Sequence, residues 1–373
     1  MSRGRESTHV RGGRLLSLLF AVATAVTACG SSGRTPPTPT PPNPLTGPTT
    51  PRTSAPSPPE TSAPPGTTGA TPSTPAGPPV VSPPPADSLP VAARPVHRTN
   101  VDNSPDGLTF AFGSIWVSHY GSLEEWRIDP RTGKVVARIR TDYSPLLSEA
   151  AGGFLWVANF SGADVSKIDP KTNTVVDTVE IGNQPDGMTV ADGRVWVFNQ
   201  PDGTASLIDP KTDEVETIEV PTDESFFATT AFGSVWVCDA SGDALLRYDP
   251  ATRKVIARIP VGDQPFQPAA GFGSMWVANF GDGTVSRIDP GTNRVVAVTG
   301  LPATNPQGLV AARGSMWVGS TAAGEVFRID PATNAVDGAF ETGAGTRDLV
   351  PVGDVLWVAE FDDDTVSAYR MTR

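Results

Sequence analysis

Apolar and polar positions alternate in short bursts along the C-terminal three quarters of the chain, and the bursts recur. Trp116, Trp156, Trp196, Trp236, Trp276, Trp317 and Trp357 stand 40, 40, 40, 40, 41 and 40 residues apart. A fixed period of this length marks a repeat architecture, in which one unit cannot bury its apolar face alone. In the unit around Trp276 the pattern predicts four strands. The first is short and small (Pro268–Phe272), and the second holds the Trp-Val pair (Ser274–Ala278). The third alternates (Thr284–Asp289) and the fourth is β-branched (Arg294–Val298). Gly273, Gly281-Asp282-Gly283 and Asp289-Pro290-Gly291-Thr292-Asn293 separate them as turns. The last turn recurs at Asp129-Pro130, Asp169-Pro170, Asp209-Pro210, Asp249-Pro250 and Asp330-Pro331. Its proline fixes φ and its aspartate oxygen accepts nearby backbone N–H groups. Gly133, Asn173, Asn293 and Asn334 follow where a left-handed residue is tolerated. That periodicity makes these aspartates turn residues, not metal ligands.

Four antiparallel strands per unit, seven times over, predict an all-β fold: a seven-bladed β-propeller of four-stranded blades. The chain stops after Val366–Arg370, the third strand of the seventh unit, with no fourth to follow. Arg94–Val101 occupies a fourth-strand position ahead of the first unit. It is expected to pair with the last unit and close the ring, which removes two exposed sheet edges.

Composition then divides the chain into residues 1–28, 29–93 and 94–373. Arg3, Arg5, Arg11 and Arg14 precede a short apolar core, Leu15–Val26, which reads as a secretion signal too short to span a membrane as an anchor. Residues 31–93 hold 21 of the 39 prolines with few charges. They are expected to form a disordered, semi-stiff spacer. The segment from Arg94 carries 22 basic and 37 acidic residues, a formal charge of −15. Such a surface repels phosphate backbones, so nucleic acid is excluded as a partner. Cys29 and Cys238 are the two cysteines. Cys238 falls at a position otherwise filled mainly by small residues, the place of a packed, inert thiol.

Two resemblances add to this reading. Val26-Thr27-Ala28-Cys29-Gly30 resembles the bacterial lipoprotein cleavage box. That implies cleavage before Cys29, a lipid on its sulfur and attachment to the extracytoplasmic face of the cell membrane. Trp156-Val157-Ala158-Asn159 and Trp276-Val277-Ala278-Asn279 stand where the tetrad of YVTN propellers would be. Over residues 94–373 the repeats resemble the YVTN and streptogramin (virginiamycin B) lyase-like families. The lyase resemblance implies a metal, magnesium, and a histidine–glutamate pair. The propeller has only His97 and His119, and no histidine in its later repeats.

Three residues beyond each tryptophan come His119, Asn159, Asn199, Asp239, Asn279, Ser320 and Glu360, all polar. Quasi-symmetry predicts a ring near one channel mouth, serving as turn caps, as ligand contacts or as both. Pro105-Asp106-Gly107, Pro185-Asp186-Gly187 and Pro306-Gln307-Gly308 belong to the same face as turn chemistry. Phe226-Phe227 and Arg347-Asp348 break that pattern. Glu149 replaces a threonine, alanine or valine of the innermost strands, as a solvated channel carboxylate or a ligand contact. Trp126 replaces a serine and is a candidate exposed patch residue. The opposite face repeats almost without variation and reads as scaffold. The favoured function is a membrane-anchored module, expected to be monomeric and without a cofactor, binding a small molecule or protein at one face. A magnesium-dependent lyase is the alternative.

Overall fold

Each unit folds into the four antiparallel strands its pattern predicts, and the seven units close into a ring. The computed structural model describes residues 77–222 and 224–372. The signal segment, Cys29 and most of the spacer lie outside the described residues. Blades are numbered in chain order from Pro105. Blade 1 comprises Pro105–Ala111, Ser114–His119, Glu124–Asp129 and Lys134–Arg140. Blade 5 comprises Pro265–Gly271, Ser274–Asn279, Thr284–Asp289 and Arg294–Gly300, its innermost strand starting three residues before the predicted one. Innermost strands pack against those of both neighbours, blade 7 against blade 1 included.

Closure follows the predicted route. Ala93–Asn100 supplies the outer strand of blade 7, antiparallel to Thr365–Met371, in register from Ala93↔Met371 to Asn100↔Thr365. The core lies between blades. All seven repeat tryptophans are fully buried. Trp276, for example, packs with Met316 and Val318 of blade 6. Burial of each such side chain stabilises by roughly 3 kcal/mol. In blades 1 to 6 the indole N–H also donates to the carbonyl five residues earlier, as Trp116 Nε1 does to Ala111 O at 3.0 Å.

Turns at the two ends of the blades differ in kind. On one face, strand three turns into strand four through the Asp-Pro motif. There Asp129 Oδ1 accepts the Arg131 N–H at 2.8 Å, and Asp169, Asp209, Asp249, Asp289 and Asp330 repeat the bond. On the same face a basic side chain clamps each of several blades to the next. Arg287 Nε donates to Ser274 of its own blade, while Nη1 donates to Pro331 O and Asn334 Oδ1 of blade 6. Arg127 and Arg247 do likewise, and Lys167 pairs with Asp213 at 2.6 Å.

Three sequence expectations need correction or extension. Residues 77–92, assigned to the disordered spacer, form a strap along the outer rim. Val80–Val81 pairs in parallel with the outer strand of blade 5, and Val91 bridges to Ala339 of blade 6. Leu89 packs on the blade 5/6 core and Ala92 is buried in the blade 6/7 core. So few apolar residues in a proline-rich stretch carry no periodicity, yet two open sheet edges offer them partners. Trp126 is not an exposed patch residue but is 2% exposed, its indole N–H on Glu124 Oε2 at 2.9 Å. Cys238 is buried as expected, and burial holds its thiol pKa well up.

Candidate functional site

The polar ring does not line the channel. His119, Asn159, Asn199, Asp239, Asn279, Ser320 and Glu360 are all 0 or 1% exposed. Their side chains turn into the blades, where they hold the strand-two to strand-three turns. Asn159 Nδ2 donates to Asp164 Oδ1 and Ser166 Oγ; Asn199 and Asn279 donate to Thr204 with Ser206 and Thr284 with Ser286. Ser320 Oγ donates to Thr304 O at 2.7 Å. Asp239 accepts from Thr222 Oγ1 and the Gly242 N–H and contacts Arg258. Glu360 accepts from the Gly343 N–H, Ser367 Oγ, Tyr369 Oη and Thr365 Oγ1. The loop entering each blade covers these groups: a Cβ on Gly262 would sit 2.6 Å from Asn279 Nδ2. Turn capping, one of the two roles foreseen, is what the geometry provides.

The channel opens instead through the second residues of the innermost strands: Asp106, Leu146, Asp186, Phe226, Phe266, Gln307 and Arg347. This mouth has two halves. Blades 1, 3 and 7 bring the charged half. Arg347 Nη1 stands 3.5 Å from Asp106 Oδ2 and its guanidinium lies 4.1 Å over Phe361. Asp348 Oδ2 accepts the Leu108 N–H and Oδ1 accepts from Gln267 Nε2. Blades 2, 4 and 5 bring the apolar half, where Leu146, Leu147, Phe160 and Phe227 form a buried cluster with Tyr120, Phe226 and Phe266. The rings of Phe226 and Phe266 stack at 5.0 Å.

Burial controls the charges. It raises the carboxyl of Asp186 well above the usual range, helped by Asp106 and opposed by Arg347. Asp106 is raised by burial and lowered by Arg347. Asp348 rises to about 6 by burial, against three hydrogen bonds that lower it. The channel inside the mouth is a cavity of about 340 Å³ lined by Thr109, Ser148, Glu149, Thr229, Gln267 and Asp348 among others. Glu149 is half-buried there, its pKa pushed up to about 7 by burial, with Asp348 adding to the rise. Gln267 Oε1, Gln307 Oε1 and Arg347 Nε are buried without a partner. An acidic site with one cation, unspent hydrogen-bonding groups and an aromatic wall fits a ligand with cationic or hydroxyl donors and an apolar flank.

Asp106 and Asp186 entered the sequence reading as turn chemistry, whereas they are buried strand residues. Glu125 escaped it. It is fully buried between blades 1 and 2, accepts from Ser148 Oγ at 3.3 Å, and has a pKa pushed up to about 8 by burial. The available signal was a carboxylate where Val165, Val285, Val326 and Val366 stand.

Neither histidine reaches the mouth. His119 is buried against Trp126, ring centroids 4.9 Å apart, and burial lowers its pKa to about 4. His97 stacks on Trp357 from the outer strand of blade 7. Among the described residues no group of three or more His, Cys, Asp or Glu side chains is arranged to hold a metal ion. The residues present therefore do not fit the magnesium site that the lyase resemblance implies.

No protein-family model matches the chain, and no curated protein sequence does. Solved structures match it as a ring of seven blades. A chain of Kuenenia stuttgartiensis hydrazine synthase aligns with a TM-score of 0.63 at 14% identity, over 82% of this chain and 99% of that one. The computationally designed Ika8 protein aligns with a TM-score of 0.59 at 11% identity, over 76% and 100%. At such identities the likeness shows the β-propeller fold alone, a scaffold that hosts many functions.

Proposed function

We propose that the protein is an extracytoplasmic binding module, held to the membrane through a lipidated Cys29, whose ligand enters the channel mouth at Asp106, Asp186, Arg347 and Asp348. The observation that carries this reading is the break in the repeat. Six Asp-Pro turns on one face carry the same hydrogen bond, while the second residues of the innermost strands are Asp, Leu, Asp, Phe, Phe, Gln and Arg. Departures from a repeat are where function is grafted. Three buried carboxyl groups around one guanidinium favour an amine, a guanidinium or a polyhydroxyl ligand, and the stacked phenylalanines favour an apolar flank.

The test is a thermal-shift screen of the propeller against polyamines, arginine derivatives and oligosaccharides, since a ligand of the native state raises Tm. A hit should lose at least about tenfold in affinity, or 1.4 kcal/mol, in the Asp106→Asn/Asp186→Asn variant. Hits that bind that variant unchanged would move the site elsewhere.

A further inference from the structure

Three phenylalanines on the face opposite the mouth are in the wrong place for folding. Phe112, Phe232 and Phe272 sit at the first central position of the two-residue turn joining strands one and two, each followed by glycine. Their φ angles are 51°, 51° and 52°. Such a turn favours Asn-Gly, Asp-Gly or Gly-Gly, because both central residues are left-handed. Blade 3 obeys the rule with Asp192-Gly193 and blade 2 with Gly152-Gly153. A bulky side chain in the left-handed region is an outlier. Nor is the strain repaid by burial, since the three rings are 41, 44 and 42% exposed. A conflict of local chemistry with no folding benefit is expected where a surface has a task.

The geometry points to a flat partner. The three tips belong to blades 1, 4 and 5, spread around the ring, so a plane can meet all three and a narrow ligand cannot. They are held rigidly: Arg127 Nη2 donates to Phe112 O and Arg287 Nη2 to Phe272 O, at 3.4 and 3.5 Å. These arginines also bond the neighbouring Asp-Pro turns, which places both sets of turns on one face. The fully exposed charges there are mostly basic, among them Arg131, Lys134, Lys171, Lys211 and Arg313 against Asp192 and Glu214. The six turn aspartates are spent on backbone N–H groups and are half-buried. The mouth face carries the reverse balance, with Asp102, Asp202, Asp243, Asp263, Asp282 and Asp362 exposed. Seven-residue strands separate the faces by roughly 20 Å, against a Debye length of about 10 Å at 0.1 M salt. The mouth acids are therefore screened from whatever meets the opposite face. Val80–Val81 runs parallel to the blade 5 outer strand, so the described chain starts on that same side and climbs toward the mouth.

We propose that this face docks on an anionic lipid bilayer, with Phe112, Phe232 and Phe272 inserting at the interface and the basic turn residues meeting the headgroups. The mouth is then presented away from the membrane. The proposal does not rest on the ligand site or on the lipid at Cys29, since the propeller itself must bind.

Residues 77–373 contain every strand of the ring and the strap that seals it, so this piece is the test protein. It should co-sediment at 0.1 M salt with vesicles of equimolar phosphatidylglycerol and phosphatidylcholine, and at least tenfold less with phosphatidylcholine alone. Phe112→Asn/Phe232→Asn/Phe272→Asn should reduce the partition coefficient at least tenfold while Tm stays level or rises. The same three positions changed to Leu should keep binding within threefold. Failure of the native propeller to bind anionic vesicles, or equal binding by the Asn variant, overturns the proposal. Self-association that the Asn variant abolishes would overturn it too, by making a second copy the partner.

Discussion

The mouth and the opposite face are two ends of the same 40-residue unit, and they treat polar groups in opposite ways. On the opposite face Arg127, Arg247 and Arg287 make the same three bonds, to a serine of their own blade and to a proline carbonyl and an asparagine of the next. Each charge there has a partner that the repeat itself supplies. At the mouth, Asp106 and Asp186 are buried with Arg347 as the one cation named among their electrostatic neighbours. Buried groups of this kind cost stability, and only something other than folding explains their retention. The same contrast inverts for apolar groups. Phenylalanines at the mouth stack in a cluster, whereas Phe112, Phe232 and Phe272 at the other end stand in solvent.

The largest effect should come from a carboxylate beneath the mouth. Glu360→Ala leaves the hydroxyls of Ser367, Tyr369 and Thr365 and the Gly343 N–H without their acceptor. A loss of about 3–5 kcal/mol is expected from urea unfolding. Asp289→Ala, in an exposed turn on the opposite face, should cost only about 1 kcal/mol. Equal losses would break the comparison.

A second difference lies in pH. Glu125, Glu149 and Asp348 have folded-state pKa values of about 8, 7 and 6, all raised by burial. A raised carboxyl binds more protons when folded than unfolded between its two pKa values, so stability falls as pH rises through that window. His119, lowered to about 4, works the other way, but only below its unfolded value near 6.5. Between pH 6.5 and 8 the carboxyls act alone and stability should decline. Glu125→Val, the residue of four other blades, should flatten that decline and add about 3 kcal/mol at pH 8. Tm measured at pH 6.5 and 8 for both proteins decides it; an unchanged slope would remove Glu125 from the account.

On the opposite face Arg287→Ala should cost about 2 kcal/mol, because it deletes three hydrogen bonds to Ser274, Pro331 and Asn334 and a guanidinium 4.8 Å from the Trp276 ring. Arg287→Lys keeps the charge without the fork and should lose about half of that. Full recovery with lysine would mean that charge alone holds the blades together.

Legibility in the sequence follows the same division. The tryptophan period, the Asp-Pro turns and the closing strand were readable because they repeat, and repetition is what a ring of blades enforces. The polar ring was misplaced because a polar side chain at a strand end looks like a surface group. Its true partner was nonetheless written seven residues on: Asn159 with Ser166, Asn199 with Ser206, Asn279 with Ser286. Where that serine becomes Trp126, the asparagine becomes His119 and the two rings pack. The strap was hidden because Val80, Leu89 and Val91 acquire meaning only beside sheet edges formed some 200 residues later. Asp106, Asp186 and Arg347 come from blades 1, 3 and 7, so no local pattern could show that they meet.

The smallest expected effect is also the one whose sign matters most. Phe232→Asn exchanges a bulky residue at φ 51° for the residue type that a left-handed turn position prefers. If the ring does nothing for the fold, the exchange should stabilise by about 0.5–1 kcal/mol, through relief of backbone strain. The ring is 44% exposed, so little burial is lost with it. Asp192, at φ 48° in blade 3, shows that a short polar residue fits the same turn, and Asp192→Phe should be the mirror experiment, costing about as much as Phe232→Asn gains. Both changes are read as shifts in the urea midpoint at constant slope. A stabilised Phe232→Asn protein would mean that the opposite face keeps its phenylalanines at the expense of its own folding. A destabilised one would mean that the ring packs on its own turn, and the two faces would then differ in charge but not in purpose.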